Sequence, residues 1–533
     1  MKQIFAISLT FLLCSWAVLM GQNESDALRH TQSTLTGSAR AMGMGGAFSA
    51  VGADLSAATL NPAGLGLYRS SVFTVSPQFN LIGNRAEYLN INEQREGATY
   101  FGLPNWGVAF NTLNYYDDGR TRSEMKKGLK SYTFAFGHNQ VENYNRNVTV
   151  EGAFNDIGSI SDMFAERAQG FFPSELGLME GIAFDVFVID TIVGEGGNVY
   201  FPAAPGNIEQ SVQLQESGKR NEWFVSMAGN VSDKFYFGAT LGIQSVRYRQ
   251  ELTFIEEDVD GLYEFYDPTS VEDNGFPPEI PMVRITFQDE FETRGTGINF
   301  KAGIIYRPVD HVRIGLSAQT PTLLSLTDEF TSTLSHIITE DDLGNEPEDS
   351  LSTDPAQFGY RLTTPFRATA GLIYQLGKMG MISADVEYVD PSRGFLSSLV
   401  TGIGNPDFYD FATENNSIAE LYRPTVNVRL GGEYRLDIFR FRLGGAFYPS
   451  PLNPEAREYQ DFFDLEEVNQ INGGRTMLTA GAGIRQPNFF LDVSLVNQRQ
   501  QDKFGPYSSE IFSPTVINQR TTNMIVSTLG FHF

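Results

Sequence analysis

A period of two dominates the chain. In Phe235, Phe237, Ala239, Leu241 and Ile243 one phase is apolar, while Tyr236, Gly238, Thr240, Gly242 and Gln244 form a polar or small phase. The pattern recurs at Ile298/Phe300/Ala302/Ile304/Tyr306, Val312/Ile314/Leu316/Ala318, Val426/Val428/Leu430, Phe439/Phe441/Leu443, Leu478/Ala480/Ala482/Ile484 and Phe489/Leu491/Val493/Leu495. Successive side chains leave a strand on opposite sides, so strict alternation predicts strands with one apolar and one polar face. Such strands are expected over 71–82, 98–113, 131–150, 220–232, 235–256, 282–306, 312–328, 358–376, 381–390, 422–436, 439–448, 474–486, 489–499 and 520–533.

A soluble sandwich would alternate in the same way. Three features favour an all-β transmembrane antiparallel barrel of about fourteen strands. Short turns (232–234, 307–311, 377–380, 436–438, 486–488) alternate with polar loops of roughly 15 to 60 residues, as periplasmic turns and extracellular loops do. The strand count is even, which places both barrel ends on the periplasmic side. Leu529, Phe531 and Phe533 alternate to a terminal Phe, the form of signal that engages the barrel assembly machinery, although Gly530 lies nearer the end than is usual. One chain closing on itself points to a monomer.

Composition removes other classes. Lys and Arg total 38 against 64 Asp and Glu, a net charge of −26, which repels nucleic acid. Aromatic residues make up 13%, too much apolar surface for a disordered polyanion. A single Cys excludes a disulfide scaffold and a Cys-based zinc site. No cofactor is expected, and the five His show no metal-ligand spacing. Lys2 followed by an uncharged stretch from Ile4 to Met20 reads as a signal peptide over 1–21. Cys14 follows Leu13 inside that stretch and is not a lipidation site. An outer-membrane location in a Gram-negative bacterium follows.

Two regions are not strand-like. Residues 22–69 are rich in Gly and Ala and precede the first strand, as a plug would, with the barrel occupying 70–533. Residues 153–207 carry helical stretches, 159–168 and 174–193, suited to an extracellular lid.

Residues 38–48 (SARAMGMGGAF), then Val51-Gly52-Ala53-Asp54 and Asn61-Pro62-Ala63-Gly64-Leu65, resemble the N-terminal hatch of the FadL family of outer-membrane long-chain fatty-acid and hydrocarbon transporters. Family-like wording continues at Asn221-Glu222-Trp223, 234–243, 295–307, 319–322 and 383–388. The resemblance implies a plugged fourteen-strand barrel in which Asn61, Pro62, Ala63 and Gly64 belong to the hatch. It also implies capture of a hydrophobic small molecule at an extracellular groove and sideways exit through the wall.

Candidate sites follow. Phe164, Phe171, Phe172, Leu176, Met179, Ile182, Phe184 and Phe187 give the insert more apolar area than a solvated loop carries, either as a ligand groove or as helices burying one another. The polar phase of the strands holds Arg313, Arg367, Arg429 and Arg442, candidates for a ligand carboxylate, with Asp385, Glu387, Glu433 and Asp492 as competing internal partners. Residues 43–46 lack the third Gly of a phosphate loop. The acidic runs 256–260 and 340–349 are solvated loops or a divalent-cation bridge to lipopolysaccharide. The reading is a hatch-gated transporter of hydrophobic compounds, in contact with outer-membrane lipid. The alternatives are a barrel scaffold like the PorV-type secretion shuttle, or a lipid-acting enzyme, against which no triad stands out.

Overall fold

The computed structural model describes residues 24–89, 91–117, 122–125, 127–155, 158–194, 197–203, 208–258, 283–337, 348–400, 408–454, 474–509 and 511–533. Residues 1–23, Cys14 among them, and residues 259–260 and 340–347 of the two acidic runs lie outside the described residues; Glu256 and Glu257 of the first run are strand residues, Glu256 fully buried, and not part of a solvated loop.

Fourteen antiparallel wall strands close on themselves. They are β1 (Val72–Tyr88), β2 (Ile91–Leu113), β3 (Leu129–Asn143, resuming over Arg146–Asn155), β4 (Ile208–Val231), β5 (Phe235–Glu257) and β6 (Arg284–Val309). Next come β7 (Val312–Gln319, resuming over Leu323–Ile337), β8 (Ala356–Thr363, resuming over Arg367–Gln375), β9 (Gly380–Val389, resuming over Phe395–Ser398) and β10 (Thr425–Leu436). The circuit ends with β11 (Phe439–Tyr448), β12 (Arg475–Arg485), β13 (Phe489–Phe504) and β14 (Val516–His532). Each pairs with its neighbour, and β14 returns to β1 from Val72↔His532 to Glu87↔Ile517, so the wall has no free edge.

Burial decides between sandwich and membrane barrel. On β5, Phe235, Phe237, Leu241 and Ile243 are exposed, whereas Tyr236, Thr240 and Gln244 are buried. An apolar phase turned outward and a polar phase turned inward is the inverse of a soluble core, and it suits acyl chains as the surrounding solvent.

The strands run further than the alternation predicts. β6 has 26 residues, against the roughly 9–11 that cross a bilayer. Beyond the bilayer the outward phase turns polar, so the period-two signal fades while the hydrogen-bonded ladder continues. The expected loop over 83–97 is therefore mostly ladder, with Arg85↔Arg95 in register near its tip. Breaks fall at Pro321, Pro365 and Pro391 in β7, β8 and β9, where a residue without an N–H cannot serve the ladder. At the opposite end one connection departs from the tight-turn pattern: a small hairpin, Tyr115–Asp117 with Arg122–Glu124, lies between β2 and β3.

In the extracellular insert the first helix, α1 (Ile160–Ala168), forms as expected. The second, α2 (Leu178–Asp185), is shorter than the expected 174–193. Phe187 takes a positive φ of 60°, which ends the helix, and the β-branched run behind it pairs as Ile189–Gly194 with Gly197–Pro202.

Beyond residue 23 the chain has two tryptophans, Trp106 and Trp223, which face outward with rings 5.4 Å apart. Brominated acyl chains in proteoliposomes should therefore quench more than half of the intrinsic Trp fluorescence of the mature chain. Quenching near zero would place this phase inside and invert the barrel.

Candidate functional site

The lumen of a fourteen-strand barrel is lined by the polar phase, and residues 24–68 pack within it. Local chemistry shapes this segment. Ser38 caps the short helix Ala39–Gly43, its Oγ accepting from Ala41 N (3.2 Å) and donating to Asp54 (2.8 Å). Asn61 caps the 3-10 turn Pro62–Leu67 by accepting from Ala63 N (3.1 Å), and its Nδ2 donates to Ser49 O (2.7 Å). Pro62 sits first in that turn, where an N–H would go unused. Ala63 and Gly64 are fully enclosed. The four residues matching the family motif therefore act as a fold-back that ties 49 to 63.

Contact with the wall is backbone to backbone. A Cβ on Gly45 would lie 2.6 Å from Gly445 N of β11, and one on Gly66 would lie 2.7 Å from Gly229 O of β4. Gly45 also has φ +62°, so its site excludes side chains on two counts. Asp385 of β9 reaches into the segment, its Oδ2 accepting from Phe48 N (2.8 Å), Ser49 N (2.8 Å) and Ser49 Oγ (2.7 Å).

The four arginines singled out from sequence have distinct surroundings. Arg442, fully buried, bonds Glu433 (3.0 Å) and Asp492 (2.8 Å), and Glu433 also receives Arg40 of the segment (3.0 Å). Arg367 bonds Glu387 (2.9 Å) and Thr31 O. Arg429 bonds Glu387 and lies over the Tyr448 ring at 5.7 Å. Arg313 donates to Val51 O (3.2 Å). Two further arginines, absent from the sequence-derived set, complete the lumen. Arg220 of β4 donates to His30 O and Gln32 O, and Arg475 of β12 donates to Ser33 O (2.9 Å). The carbonyls of residues 30–33 are thus held by guanidinium groups from three separate strands. Both lie in the inward phase of their strands, Arg220 with Glu222, Phe224 and Ser226 and Arg475 with Met477 and Thr479, so alternation places them toward the lumen.

A cavity of about 100 Å³ lies between the segment and the wall, bordered by Thr34, Asn139, Arg220, Glu222, Arg367 and Arg429. A second, of about 40 Å³, borders Gln32, Arg367, Tyr448 and Arg475. The first abuts a discontinuity in the wall. β2 pairs with β3 only from Asn105↔Asn139 to Leu113↔Ser131. Beyond it β2 bulges at Pro104 against β1, and β3 bulges at Gln140 and follows β4. No β2–β3 backbone pairing continues past this point among the described residues. The segment binds the β3 side of the parting: Thr34 N donates to Val141 O (3.1 Å) and Thr36 Oγ1 to Gln140 O.

At the extracellular end the insert divides its apolar residues. Phe164, Met179 and Ile182 are buried in one core with Val148, Val212, Phe254 and Ile285 of the wall, and Leu176 and Phe184 pack at its edge. Phe171, Phe172 and Phe187 face outward at 45%, 57% and 49% exposure. The eight residues therefore do not line one groove. The cap of α1 is a reciprocal box in which Ser159 N donates to Asp162 (2.7 Å) and Ser159 Oγ accepts from Ser161 N (3.0 Å). Glu256 receives Ile160 N (3.0 Å) at the same helix end.

Two outcomes follow. Asp385→Ala removes three hydrogen bonds to a charged group, each worth about 1.5–3 kcal/mol before the relief of a buried charge is counted. Amide exchange over 44–52 should accelerate at least tenfold while the wall strands stay protected; unchanged exchange would discount this anchor. Burial pushes the Asp162 carboxyl up to about 6, with the Glu166 charge adding to the shift and the Ser159 hydrogen bond opposing it. A carboxyl raised in the folded state favours folding at low pH, and that contribution is lost as pH rises from about 4 to about 6. Protection of the α1 amides should fall over that window, and Glu256 at the same helix end, pushed up by burial to about 7, should extend the fall toward pH 7. In Asp162→Asn the part of the fall below about pH 6 should shrink while the part owed to Glu256 remains.

No protein-family model and no curated protein matches the chain. Among solved structures it is similar to a FadL homologue of Pseudomonas aeruginosa, at 13% identity and a TM-score of 0.54, over 94% of this chain and 99% of that one. It is also similar to the Pseudomonas putida toluene transporter TodX (12% identity, TM-score 0.48, 94% and 100% covered) and the Ralstonia pickettii toluene transporter TbuX (17%, 0.44, 92% and 97%). Identities this low speak to fold alone. The first of these likenesses, joined to closure by fourteen strands, establishes that the chain has the FadL-like outer-membrane barrel fold.

Proposed function

We propose that the chain takes up hydrophobic compounds, long-chain fatty acids or similar hydrocarbons, across the outer membrane, with residues 24–68 as the hatch. The observation that carries this reading is the parting of β2 from β3, with Thr34 and Thr36 bound to its β3 side and the 100 Å³ cavity beside it. An apolar solute delivered sideways enters acyl chains and never meets water, whereas a straight pore would release it into the periplasm. The cavity is well below the roughly 300–1,000 Å³ of a site for a drug-sized ligand, so passage requires the segment to move.

The charged lining suits an amphiphile with an anionic head better than a bare hydrocarbon. Of the four arginines, Arg367 and Arg429 border the cavity, and these we assign to a carboxylate head group. Arg442 does not border the cavity and is committed to two carboxylates, Glu433 and Asp492, so its role is to seat Arg40 through Glu433. Arg313 steadies Val51 O. Capture from outside falls to the exposed Phe171, Phe172 and Phe187, with the buried aromatics supporting the lid. The P. aeruginosa FadL homologue, sharing the fold, supports the assignment.

Deleting residues 22–66 should convert the barrel into a leaky pore in planar bilayers, since more than one cation–carbonyl contact and the Asp385 anchor go with it. Conductance equal to the intact chain would rule out the hatch. Cells expressing the intact chain should accumulate radiolabelled oleate above a vector control. No uptake, together with a secreted protein retained through purification, would support the scaffold reading, for which the exposed aromatics of the lid offer a contact surface.

A further inference from the structure

The outward face of β4, β5 and β6 changes character in one step. Trp223, Ile243 and Ile298 sit side by side in register and are all exposed, forming the top row of the apolar belt on these strands. The next outward row is Asn221, Ser245 and Thr296. The row beyond is Lys219, Arg247 and Arg294, three cations in direct register on three adjacent strands. Arg249 follows Arg247 on the same face of β5.

Cross-strand neighbours on one face have Cβ atoms about 4.5–5.5 Å apart, and like charges placed there repel. Four acids on the same face, Glu251, Glu290, Glu292 and Glu329, equal the four cations in number, but all of them lie on rows farther from the apolar belt than Lys219, Arg247 and Arg294. Glu292 is shared between Arg247 (2.9 Å) and Arg294 (2.8 Å), and Arg249 contacts Glu251 (2.7 Å) and Glu290 (3.3 Å). Arg247 and Arg294 remain 68% and 56% exposed, Arg247 engaging Glu292 through Nε and Arg294 through Nε and Nη2. Surface pairs of this kind contribute little to stability, and the row makes better sense as a receptor for an anion than as a structural device.

Position identifies the anion. The row lies two outward rows beyond the apolar belt, about 13 Å along the strands, at the long-loop end, which faces the outer leaflet. It spans two interstrand spacings, about 10 Å, wider than one phosphate needs. We propose that this face binds a phosphorylated glycolipid of the outer leaflet, its phosphates on Lys219, Arg247, Arg249 and Arg294 and its acyl chains along Trp223, Ile243 and Ile298. The site is on the outside of the wall and is independent of the uptake reading.

The test is native mass spectrometry of the full mature barrel in mild detergent with added lipid A. The intact protein should hold the bisphosphorylated lipid, and the triple variant Lys219→Gln/Arg247→Gln/Arg294→Gln should lose at least fivefold in occupancy. Arg247→Lys/Arg294→Lys, which keeps the charge, should stay within twofold. Equal occupancy in the intact protein and the neutral variant would overturn the proposal, and so would an equal loss in the charge-keeping one. Dephosphorylated lipid A should bind at least fivefold less. If it binds equally, or if phosphatidylglycerol displaces lipid A at equal concentration, the phosphorylated-glycolipid assignment is wrong. Heat-dependent gel migration confirms that each variant is folded, and oleate uptake by the triple variant reports on transport separately.

Discussion

A barrel of fourteen strands encloses more space than its own inward side chains can fill, and its inward phase is polar. Every charge there must find a partner within the protein, because leaving one unpaired costs several kcal/mol. The N-terminal segment supplies those partners, largely through its backbone. Asp385 takes two main-chain N–H groups, while Arg220, Arg367 and Arg475 take successive main-chain carbonyls. A segment held by its backbone is free in sequence except where contact is closest, and there it is glycine. Residues 43–46 are therefore a packing device, and their resemblance to a phosphate loop is incidental.

This arrangement also separates two kinds of wall. Around β9 to β14 the segment is held by carboxylates, guanidinium groups and hydroxyls, with Ser494 donating to Ala39 O (2.7 Å) and Thr479 to Gly43 O (3.0 Å). At the β2–β3 parting it is held on β3, beside a cavity, by Thr34, whose N–H donates to Val141 O and whose hydroxyl donates to Glu142, and by Thr36 on Gln140 O. Backbone and hydroxyl hydrogen bonds take the place of ion pairs there, on the side where the wall lacks its own ladder.

Sequence alone carried the fold because the bilayer imposes the period it reads. Phe235 to Ile243 could be assigned to a lipid-facing strand since every second residue had to be apolar. Once β4 passes Trp223 that demand ends, so Ile208–Lys219 is ladder without a signature. The candidate site was legible where chemistry is local, as in the Asn61-Pro62 cap. It was not legible where pairing is distant: the alternation put Asp385, Glu387 and the arginines in one phase but could not say that Glu387 serves Arg367 and Arg429 while Asp385 serves the segment. The aromatic residues of the insert show the same limit, because Phe164 and Phe172 look alike in sequence and only packing against β5 and β6 separates the buried one from the exposed one.

The hydrogen bond from Ala39 N to Thr528 Oγ1 (2.7 Å) joins residues 489 positions apart. Its acceptor is on β14, the strand whose pairing with β1 closes the circuit. The N-terminal segment therefore cannot complete its seat before the C-terminal strand is in place, since part of its binding surface lies on β14. Until then the wall must tolerate an unfilled, charged interior, which water can solvate. Assembly of the wall and filling of its lumen are thus successive events, and the order is written into the connectivity.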